Sequence, residues 1–314
     1  MAAYIERRGG PSYDGRREIV ITSGEGDAML DALFCITDPG DEVILTDPAY
    51  VAYLPSIIFA GGTPVPVRTR EEDAWQLDPD AVSAAVTPRT KALFVGYPSN
   101  PTGAVLGPET IRALAVIAER HDLLVVSDEI YDRLVYGGHR HEAFSALPGM
   151  RERTILLGGF SKAYAMTGWR IGYACAPAEL LEGIIKFHQY AIMSAPTAGQ
   201  DAALVALADE DASVERMVAE YDRRRRMFVA GLERIGLPTV EPRGAFYAFP
   251  RISGTGLTSE AFVERLLFEH RVAVIPGDAF GPAGAGYVRA SLATSYEDLE
   301  EALVRIERFV TALG

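Results

Sequence analysis

The sequence predicts an α/β fold in which a mostly parallel, seven-stranded sheet is flanked by helices. Two observations predict it. Seven short apolar runs alternate with helix-like segments from about residue 18 to residue 208, and several of these runs are almost continuously apolar. Strands of that composition are usually buried on both faces, as in parallel sheets covered by helices. Because such sheets bind ligands beyond the carboxyl ends of their strands, we expect functional residues in the loops there.

The elements of this first part follow in a regular order. The predicted strands are EIVIT, DEVILT, TPVPV, KALFVGY, LLVVSDE, RTILLGGF and RIGYACA. Between them, GDAMLDALFCI and GPETIRALAVIAERHD space their apolar residues at three and four, as one face of a helix does. Pro108 stands in the first turn of the second helix, where proline is favoured.

The pattern changes after Asp209. SVERMVAEYDRRRRMFVAGLERIGL reads as one amphipathic helix that ends at Gly236. Short strands in AFYAFP, VAVIPG and YVRASLA follow, and then a last helix in SYEDLEEALVRIERFVTAL. We therefore predict two domains, a large one over residues 1–210 and a smaller C-terminal α+β domain over residues 211–314.

Composition and charge argue against several classes of protein. The formal net charge of −13 disfavours a nucleic-acid surface, which needs a basic face. The run Arg223–Arg226 does not change this, since neighbouring acids predict a solvated helix face. No apolar run is long enough to span a bilayer, and the two cysteines, Cys35 and Cys175, read as reduced core thiols. We expect a cytoplasmic protein that binds neither nucleic acid nor membrane.

One lysine stands in unusual surroundings. GGFSKAYAMTGWRIGYA, residues 158–174, is small and apolar, yet it contains Lys162. A lysine withdrawn from water favours its neutral amine, which is nucleophilic near neutral pH, as Schiff-base chemistry requires. Arg170 follows eight residues later with a planar fork suited to phosphate. The alternative is a surface lysine that extends its charge into solvent.

A glycine-rich turn precedes the first predicted helix of the sheet region. TSGEGDAM carries Gly24 and Gly26 directly between a strand and a helix. Glycine lets backbone amides approach an anion, and a helix N-terminus favours negative charge. The backbone amides of Glu25 and Gly26 are therefore candidates to hold a phosphate. The third glycine of a dinucleotide fingerprint is missing, and an ordinary turn remains the alternative.

Two further strand ends carry polar residues. Asn100 precedes a proline in GYPSNPTG, which predicts a sharp turn that presents its amide. Asp128 ends the apolar strand LLVVSDE, where an unpaired carboxylate would be costly, and Tyr131 follows closely. A helix N-cap is the alternative for this aspartate. With the lysine, the arginine and the phosphate cradle, these residues describe the requirements of pyridoxal 5′-phosphate.

Taken together, the motifs resemble a known family. DPGDEVILTDPAY, PSNPTG, SDEIYD, GFSKAYAMTGWRIGY, GAFYAFP and GYVRASLATS are similar, in this order and across nearly the whole chain, to class I/II aminotransferases of pyridoxal-phosphate fold type I. The bacterial and archaeal branch of aspartate and aromatic-amino-acid aminotransferases is the most similar. Family members carry an N-terminal arm and a first helix, which the resemblance implies this chain lacks.

The resemblance implies a role for each candidate residue at the cofactor ring. Lys162 would form the Schiff base and then carry a proton to and from the substrate α-carbon. Asp128 would pair with the ring nitrogen, and Tyr50, in DPAY, would stack on the ring face. Asn100 and Tyr131 would hydrogen-bond the phenolic oxygen.

The resemblance also implies the anion-binding residues. Arg170 and Ser161, with the amides of Glu25 and Gly26, would hold the phosphate. Arg289, in YVRAS, and Asn100 would bind the substrate, and Arg289 would clamp its α-carboxylate. A strand-end salt bridge is the alternative for Arg289. Gly26 stands where some aspartate-specific members carry a lysine for the distal carboxylate, which weakens aspartate as the preferred donor.

The predicted activity is transfer of an amino group from an L-amino acid, of aspartate or aromatic type, to a 2-oxo acid such as 2-oxoglutarate. The active site would lie between the domains of a homodimer. Alternatives are another fold-type I activity, a C–S β-lyase or a decarboxylase, or a truncated, non-catalytic protein that still binds the cofactor. We expect no metal site, since His139 and His141 offer too few ligands and the family needs no metal.

Overall fold

The computed structural model describes residues 1–208 and 212–313 of the chain. The predicted boundary between residues 210 and 211 lies outside these described residues, so the division into two domains stays a prediction. Among the described residues, the helices are all too short or too polar to cross a bilayer. Cys35 and Cys175 are both free thiols, as predicted.

All seven predicted strands form one sheet, and its order is β1-β7-β6-β5-β4-β2-β3. The strands are β1 (Ile19–Thr22), β2 (Glu42–Asp47), β3 (Thr63–Arg68), β4 (Thr90–Gly96), β5 (Leu124–Asp128), β6 (Thr154–Gly159) and β7 (Gly172–Cys175). Strand β7 runs antiparallel to both of its neighbours, whereas β3, β2, β4, β5 and β6 pair in parallel. The mostly parallel, seven-stranded sheet is therefore confirmed.

Helices cover both faces of this sheet, which explains the continuous apolar runs. On one face, α2 (Glu25–Ile36) and α6 (Ala178–Ala191) pack with α3 (Tyr53–Phe59) over a core of buried side chains. On the other face, α4 (Pro79–Ala85) and α5 (Pro108–Arg120) cover a second core. Every residue of β2 is buried between these layers, whereas β3 lies at the sheet edge and accommodates two prolines.

Several short helices were not predicted from the sequence. They are α1 (Ala2–Arg7), α3, α4, α6, α7 (Thr197–Ala208) and α9 (Ser259–His270). Helix α1 contributes Tyr4 and Ile5 to a separate apolar cluster beneath β6 and β7. In a segment as short as α3, seven residues cannot display the helical period clearly enough to separate it from a strand.

The C-terminal region contains a three-stranded antiparallel sheet in the order β8-β10-β9. Its elements are α8 (Ala212–Ile235), β8 (Tyr247–Ala248), α9, β9 (Ile275–Pro276), β10 (Val288–Ser291) and α10 (Tyr296–Thr311). The strands lie within the predicted segments but are shorter. Helix α8 ends, as predicted, where Gly236 adopts a φ of +86°. The core of this region includes Ile130 and Leu134, so it continues directly from the end of β5.

The arginine run on α8 was only partly predicted. Arg223 and Arg226 are exposed, as a solvated helix face requires. Arg225 is buried instead: it donates to Asp222 at 2.7 Å and to Glu241, which follows in the loop after α8. The prediction of a solvated face is therefore wrong for Arg225, because the loop folds back over that turn of the helix.

Candidate active site

A cavity of 320 Å³ opens at the edge of the large sheet where β4, β5 and β6 end. All ten predicted site residues line it: Glu25, Gly26, Tyr50, Asn100, Asp128, Tyr131, Ser161, Lys162, Arg170 and Arg289. Tyr53, Ile130, Thr167 and Tyr247 complete the lining. The structure thus brings residues as distant in sequence as Glu25 and Arg289 into one pocket.

The N-terminus of α2 forms one end of the pocket. Gly24 adopts a φ of +91° there, and a Cβ atom at this residue would collide with the Arg170 guanidinium. A Cβ at Gly172 would collide with the Gly24–Glu25 backbone. Asp27 accepts a hydrogen bond from the Ser23 amide at 2.8 Å, which fixes the first turn of the helix. The close approach of strand, helix and arginine therefore depends on the two glycines.

Arg170 is held beside this helix terminus by main-chain carbonyl groups. Its guanidinium donates to the carbonyl oxygens of Thr167 at 3.1 Å and Ser23 at 3.4 Å. Its side chain is exposed and, within residues 1–208 and 212–313, forms no ion pair with a carboxylate. An uncompensated guanidinium at a helix N-terminus is a site suited to a phosphate.

Asp128 lies at the floor of the pocket, nearly fully buried. Its Oδ1 accepts from the Ile130 amide at 3.1 Å, and its Oδ2 accepts from the Tyr53 hydroxyl at 2.6 Å. Burial raises the pKa of Asp128, and the hydrogen bonds from Tyr53 and Ile130 act in the opposite direction. The carboxylate is thus fixed in position for a cationic partner in the pocket.

Lys162 follows β6 and is partly buried. Its Nζ lies 5.7 Å from the ring centre of Phe246 and 6.0 Å from that of Tyr131. Burial lowers the pKa of Lys162; Glu25 opposes this, while Arg170 and Arg289 lower the pKa further. Burial therefore shifts Lys162 toward its neutral form, which is the nucleophilic one.

Arg289 enters the pocket from β10. It donates to Oδ1 of Asn100 at 2.8 Å, and its guanidinium carbon lies 4.4 Å from the Tyr247 ring centre and 4.8 Å from that of Phe280. Its Nε is buried with no hydrogen-bond partner among the described residues. Arg289 forms no salt bridge with any described residue, so the alternative of a strand-end salt bridge is not supported. The unpaired Nε instead leaves one edge of the guanidinium available to an anion.

Two tyrosines at the pocket were not identified from the sequence. Tyr53 donates to Asp128, as described, and the Tyr247 hydroxyl lies 2.9 Å from that of Tyr131. Burial, together with Tyr247, raises the pKa of Tyr131 well above its ordinary value, so the Tyr131 phenol stays neutral. Tyr53 is the first residue of α3, and its ring meets that of Tyr50 edge to face at 5.5 Å, a contact that the sequence did not indicate.

The histidine-containing clusters lie outside this pocket. His141 contacts Glu129 at 2.7 Å in a buried network that also includes the Ser127 hydroxyl. His188, on α6, lies 3.0 Å from Asp31 and 3.3 Å from Asp27, both on α2. These three residues were not predicted as a group. Their distances match hydrogen bonds that tie α2 to α6 behind the pocket.

Comparisons with known proteins agree with the pocket. A family model described as aminotransferase class I and II matches residues 1–306. The chain is 46% identical over 310 residues to an aspartate aminotransferase of Pyrococcus abyssi, covering 98% of this chain and 80% of that protein. It is 44% identical over 310 residues to aromatic-amino-acid aminotransferase 2 of Thermococcus litoralis, with the same coverage.

Solved structures give the same result. An aromatic aminotransferase from Pyrococcus horikoshii superposes with a TM-score of 0.97 at 47% identity, covering 99% of this chain and 84% of that one. An aspartate aminotransferase from Thermus thermophilus, solved with maleate, superposes with a TM-score of 0.93 at 42% identity, covering 98% of this chain and 79% of that one. Fold, pocket and relatives therefore point to the same family.

Proposed function

The chain belongs to the class I and II aminotransferases, and on this premise we propose that its pocket holds pyridoxal 5′-phosphate through the residues described above. Members of this family depend on that cofactor and transfer amino groups from amino acids to 2-oxo acids, and this chain is an aminotransferase. The observation that carries the proposal is the meeting of Lys162, Asp128 and Arg170 in one cavity.

The residues present fit the cofactor. The space at Gly24 and Gly172 admits no side chain, and the Arg170 guanidinium and the α2 N-terminus next to it suit a phosphate dianion. Asp128, buried and fixed by two donors, suits a protonated ring nitrogen. The unpaired Nε of Arg289 suits the carboxylate of an amino acid. A cavity of 320 Å³ lies at the lower end of the range for small-ligand sites.

The proposed mechanism assigns a task to each of these groups. Bound pyridoxal phosphate would supply an aldehyde that condenses with amines and a cationic ring that withdraws electrons from the neighbouring α-carbon. Asp128 would pair with the ring nitrogen and favour its protonated form, because a buried carboxylate stabilises a cation beside it. Tyr50 would contact the ring, while Asn100 and Tyr131 would hydrogen-bond the phenolic oxygen.

Proton transfer falls to the lysine. With the cofactor bound, the Nζ of Lys162 would take the proton from the substrate α-carbon and pass it on, and burial, which lowers the pKa of Lys162, would assist this transfer. Arg289 would hold the α-carboxylate within reach of Lys162. Ser161 and Arg170, with the α2 amides, keep the phosphate end fixed during the exchange.

The pocket favours an aromatic amino donor over aspartate. Among the described residues that line it, the cations are Lys162, Arg170 and Arg289, and each already has a task. None is left for a distal carboxylate, and Gly26 adds no charge. The rings of Tyr50 and Tyr247 offer apolar surface instead.

We also propose a homodimer. The last turn of α6 and the segment after it expose large apolar side chains, with Tyr190 89% and Met193 79% exposed. Exposed side chains of this size are typical of subunit interfaces. Replacing both residues by serine should shift the sedimentation coefficient from dimer to monomer, and an unchanged dimer would contradict this assignment.

A cofactor titration tests the proposed function directly. The purified protein should gain a visible absorbance band with pyridoxal phosphate, and borohydride should then attach the cofactor covalently at Lys162. Lys162→Ala should lose the borohydride adduct. Incubation with phenylalanine or tyrosine should convert the cofactor to its amine form faster than incubation with aspartate. A protein that stays colourless with pyridoxal phosphate would contradict the proposal.

A further inference from the structure

The pocket contains a second carboxyl group for which the proposed mechanism has no use. Glu25 is the first residue of α2, and its side chain extends to the floor of the cavity, within hydrogen-bonding reach of Asp128. Its Oε1 is fully buried and accepts no hydrogen bond from any described residue. Two carboxyl groups in contact can be stable only if a proton lies between them.

The hydrogen bonds indicate which of the two groups carries that proton. Asp128 accepts from the Tyr53 hydroxyl and from the Ile130 amide, and both bonds favour its ionised form. Glu25 has no comparable donor at Oε1. Burial, followed by the negative charge of Asp128, raises the pKa of Glu25 well above its ordinary value. The neutral Glu25 carboxyl is therefore the donor, and the Asp128 carboxylate is the acceptor.

We propose that protonated Glu25 occupies, in the cofactor-free protein, the donor position at Asp128 that the ring nitrogen of pyridoxal phosphate takes in the loaded protein. This inference rests on the proposed function. Binding of a cofactor whose ring nitrogen is already protonated would then break the Glu25–Asp128 hydrogen bond, form the bond from the ring N–H to Asp128, and release the Glu25 proton to solvent. Glu25 is thus a residue that sets cofactor affinity and makes it dependent on pH.

The charged and titratable groups around Glu25 are consistent with this exchange. Asp128 faces it from β5, Lys162 from the loop after β6, and Arg170 from the segment before β7. Tyr50 and Tyr53 face it from the segment after β2. Once the cofactor takes its place at Asp128, the neighbouring Arg170 guanidinium favours the ionised form of Glu25, and this assists the loss of its proton.

The sign of the pH dependence follows from competition with a proton. Below the raised pKa of Glu25, each unit of falling pH weakens cofactor binding by up to about tenfold, because one proton must leave. Above that pKa the competition ends. Alanine at position 25 removes the competitor at every pH. Glutamine keeps a donor to Asp128 that does not titrate, so its effect does not vary with pH.

The experiment measures the dissociation constant of pyridoxal phosphate from about pH 6 to about pH 8.5 for the wild type, Glu25→Ala and Glu25→Gln. Glu109→Gln is the control, since it removes an exposed carboxylate from the first turn of another helix, α5, and lies outside the pocket lining. We expect Glu25→Ala to bind about tenfold more tightly than the wild type at the acidic end, with the gap closing as the pH rises. The ratio between Glu25→Gln and Glu25→Ala should stay constant.

A second measurement needs no cofactor. Infrared difference spectra between the cofactor-free wild type and Glu25→Gln should show the loss of one protonated-carboxyl band, and Glu109→Gln should retain that band. Persistence of that band in Glu25→Gln, a constant ratio between wild type and Glu25→Ala across the pH range, or weaker binding by Glu25→Ala would each overturn the inference. Failure of the wild type to bind pyridoxal phosphate at any pH, with the infrared band present, would count against the proposed function instead.

Discussion

The arginines of the pocket and those of α8 are the same side chain in opposite surroundings. Arg170 and Arg289 form no ion pair within the described part of the chain, and their hydrogen bonds go to carbonyl and amide oxygens. Arg223, Arg224 and Arg225 each pair with an acid on their own helix. The two arginines of the pocket thus have no carboxylate partner among the described residues and suit an anion, whereas the three arginines of α8 are neutralised by neighbouring acids and suit a stabilising role.

The largest effect should come from Arg170→Ala. Loss of a charge-assisted, forked contact to phosphate should weaken pyridoxal phosphate binding by about a hundredfold, while the melting temperature of the cofactor-free protein stays within error. An absorbance titration and calorimetry measure the two quantities. Arg226→Ala is the control, and it should change neither. A large loss of stability in Arg170→Ala would show that this arginine stabilises the fold, as the arginines of α8 do.

Arg225→Met should lower the stability of the protein and leave its cofactor affinity unchanged. The substitution removes hydrogen bonds to Asp222 and Glu241 but keeps most of the buried volume, so we expect the free energy of unfolding to fall by about 2 kcal/mol. Urea denaturation measures this loss. The cofactor affinity of the folded fraction should not change, and a changed affinity would show that α8 communicates with the pocket.

Arg289→Lys should have a smaller effect on binding. Lysine keeps the charge but cannot form two parallel hydrogen bonds with a carboxylate, so the KM for the amino donor should rise about tenfold. Cofactor affinity should be unchanged, since Arg289 is assigned to the substrate. A steady-state titration of the donor, paired with the cofactor titration, separates the two. If Arg289→Lys weakened donor binding and cofactor binding equally, Arg289 would not be specific to the substrate and would not differ from Arg170 in this respect.

The smallest effect should come from Asp31→Asn, which extends the comparison to a buried acid. Burial and the nearby Asp27 raise the pKa of Asp31 from 3.8 to about 7. The folded state therefore binds a proton that the unfolded state has lost, and stability falls as the pH rises from about 4 to about 7. Asp31→Asn should flatten that slope by on the order of 1 kcal/mol across the range. An unchanged slope in urea denaturation would contradict this.

The sequence predicted the strands and the pocket well for a physical reason. Lys162 and Asp128 are charged residues at the ends of apolar strands, and charge in such a place is costly without a partner. Tyr53 and Tyr247 were missed because a tyrosine near a strand is as typical of a core as of a site. Arg225 was misjudged because its second partner, Glu241, comes from a loop 16 residues later. The side chain of Glu25 was overlooked because only its backbone amide was considered.

The reversed direction of β7 keeps Lys162 and Arg170 on one connection at the same edge of the sheet. In register, Gly172 at the start of β7 lies opposite Gly159 at the end of β6. A parallel strand would begin at the far edge of the sheet, so the connection would have to cross a face of the sheet. Because β7 is antiparallel, residues 160–171 stay at the pocket edge, and Arg170 follows Lys162 by eight positions. An insertion between these two residues should therefore change the distance between the amine and the guanidinium directly.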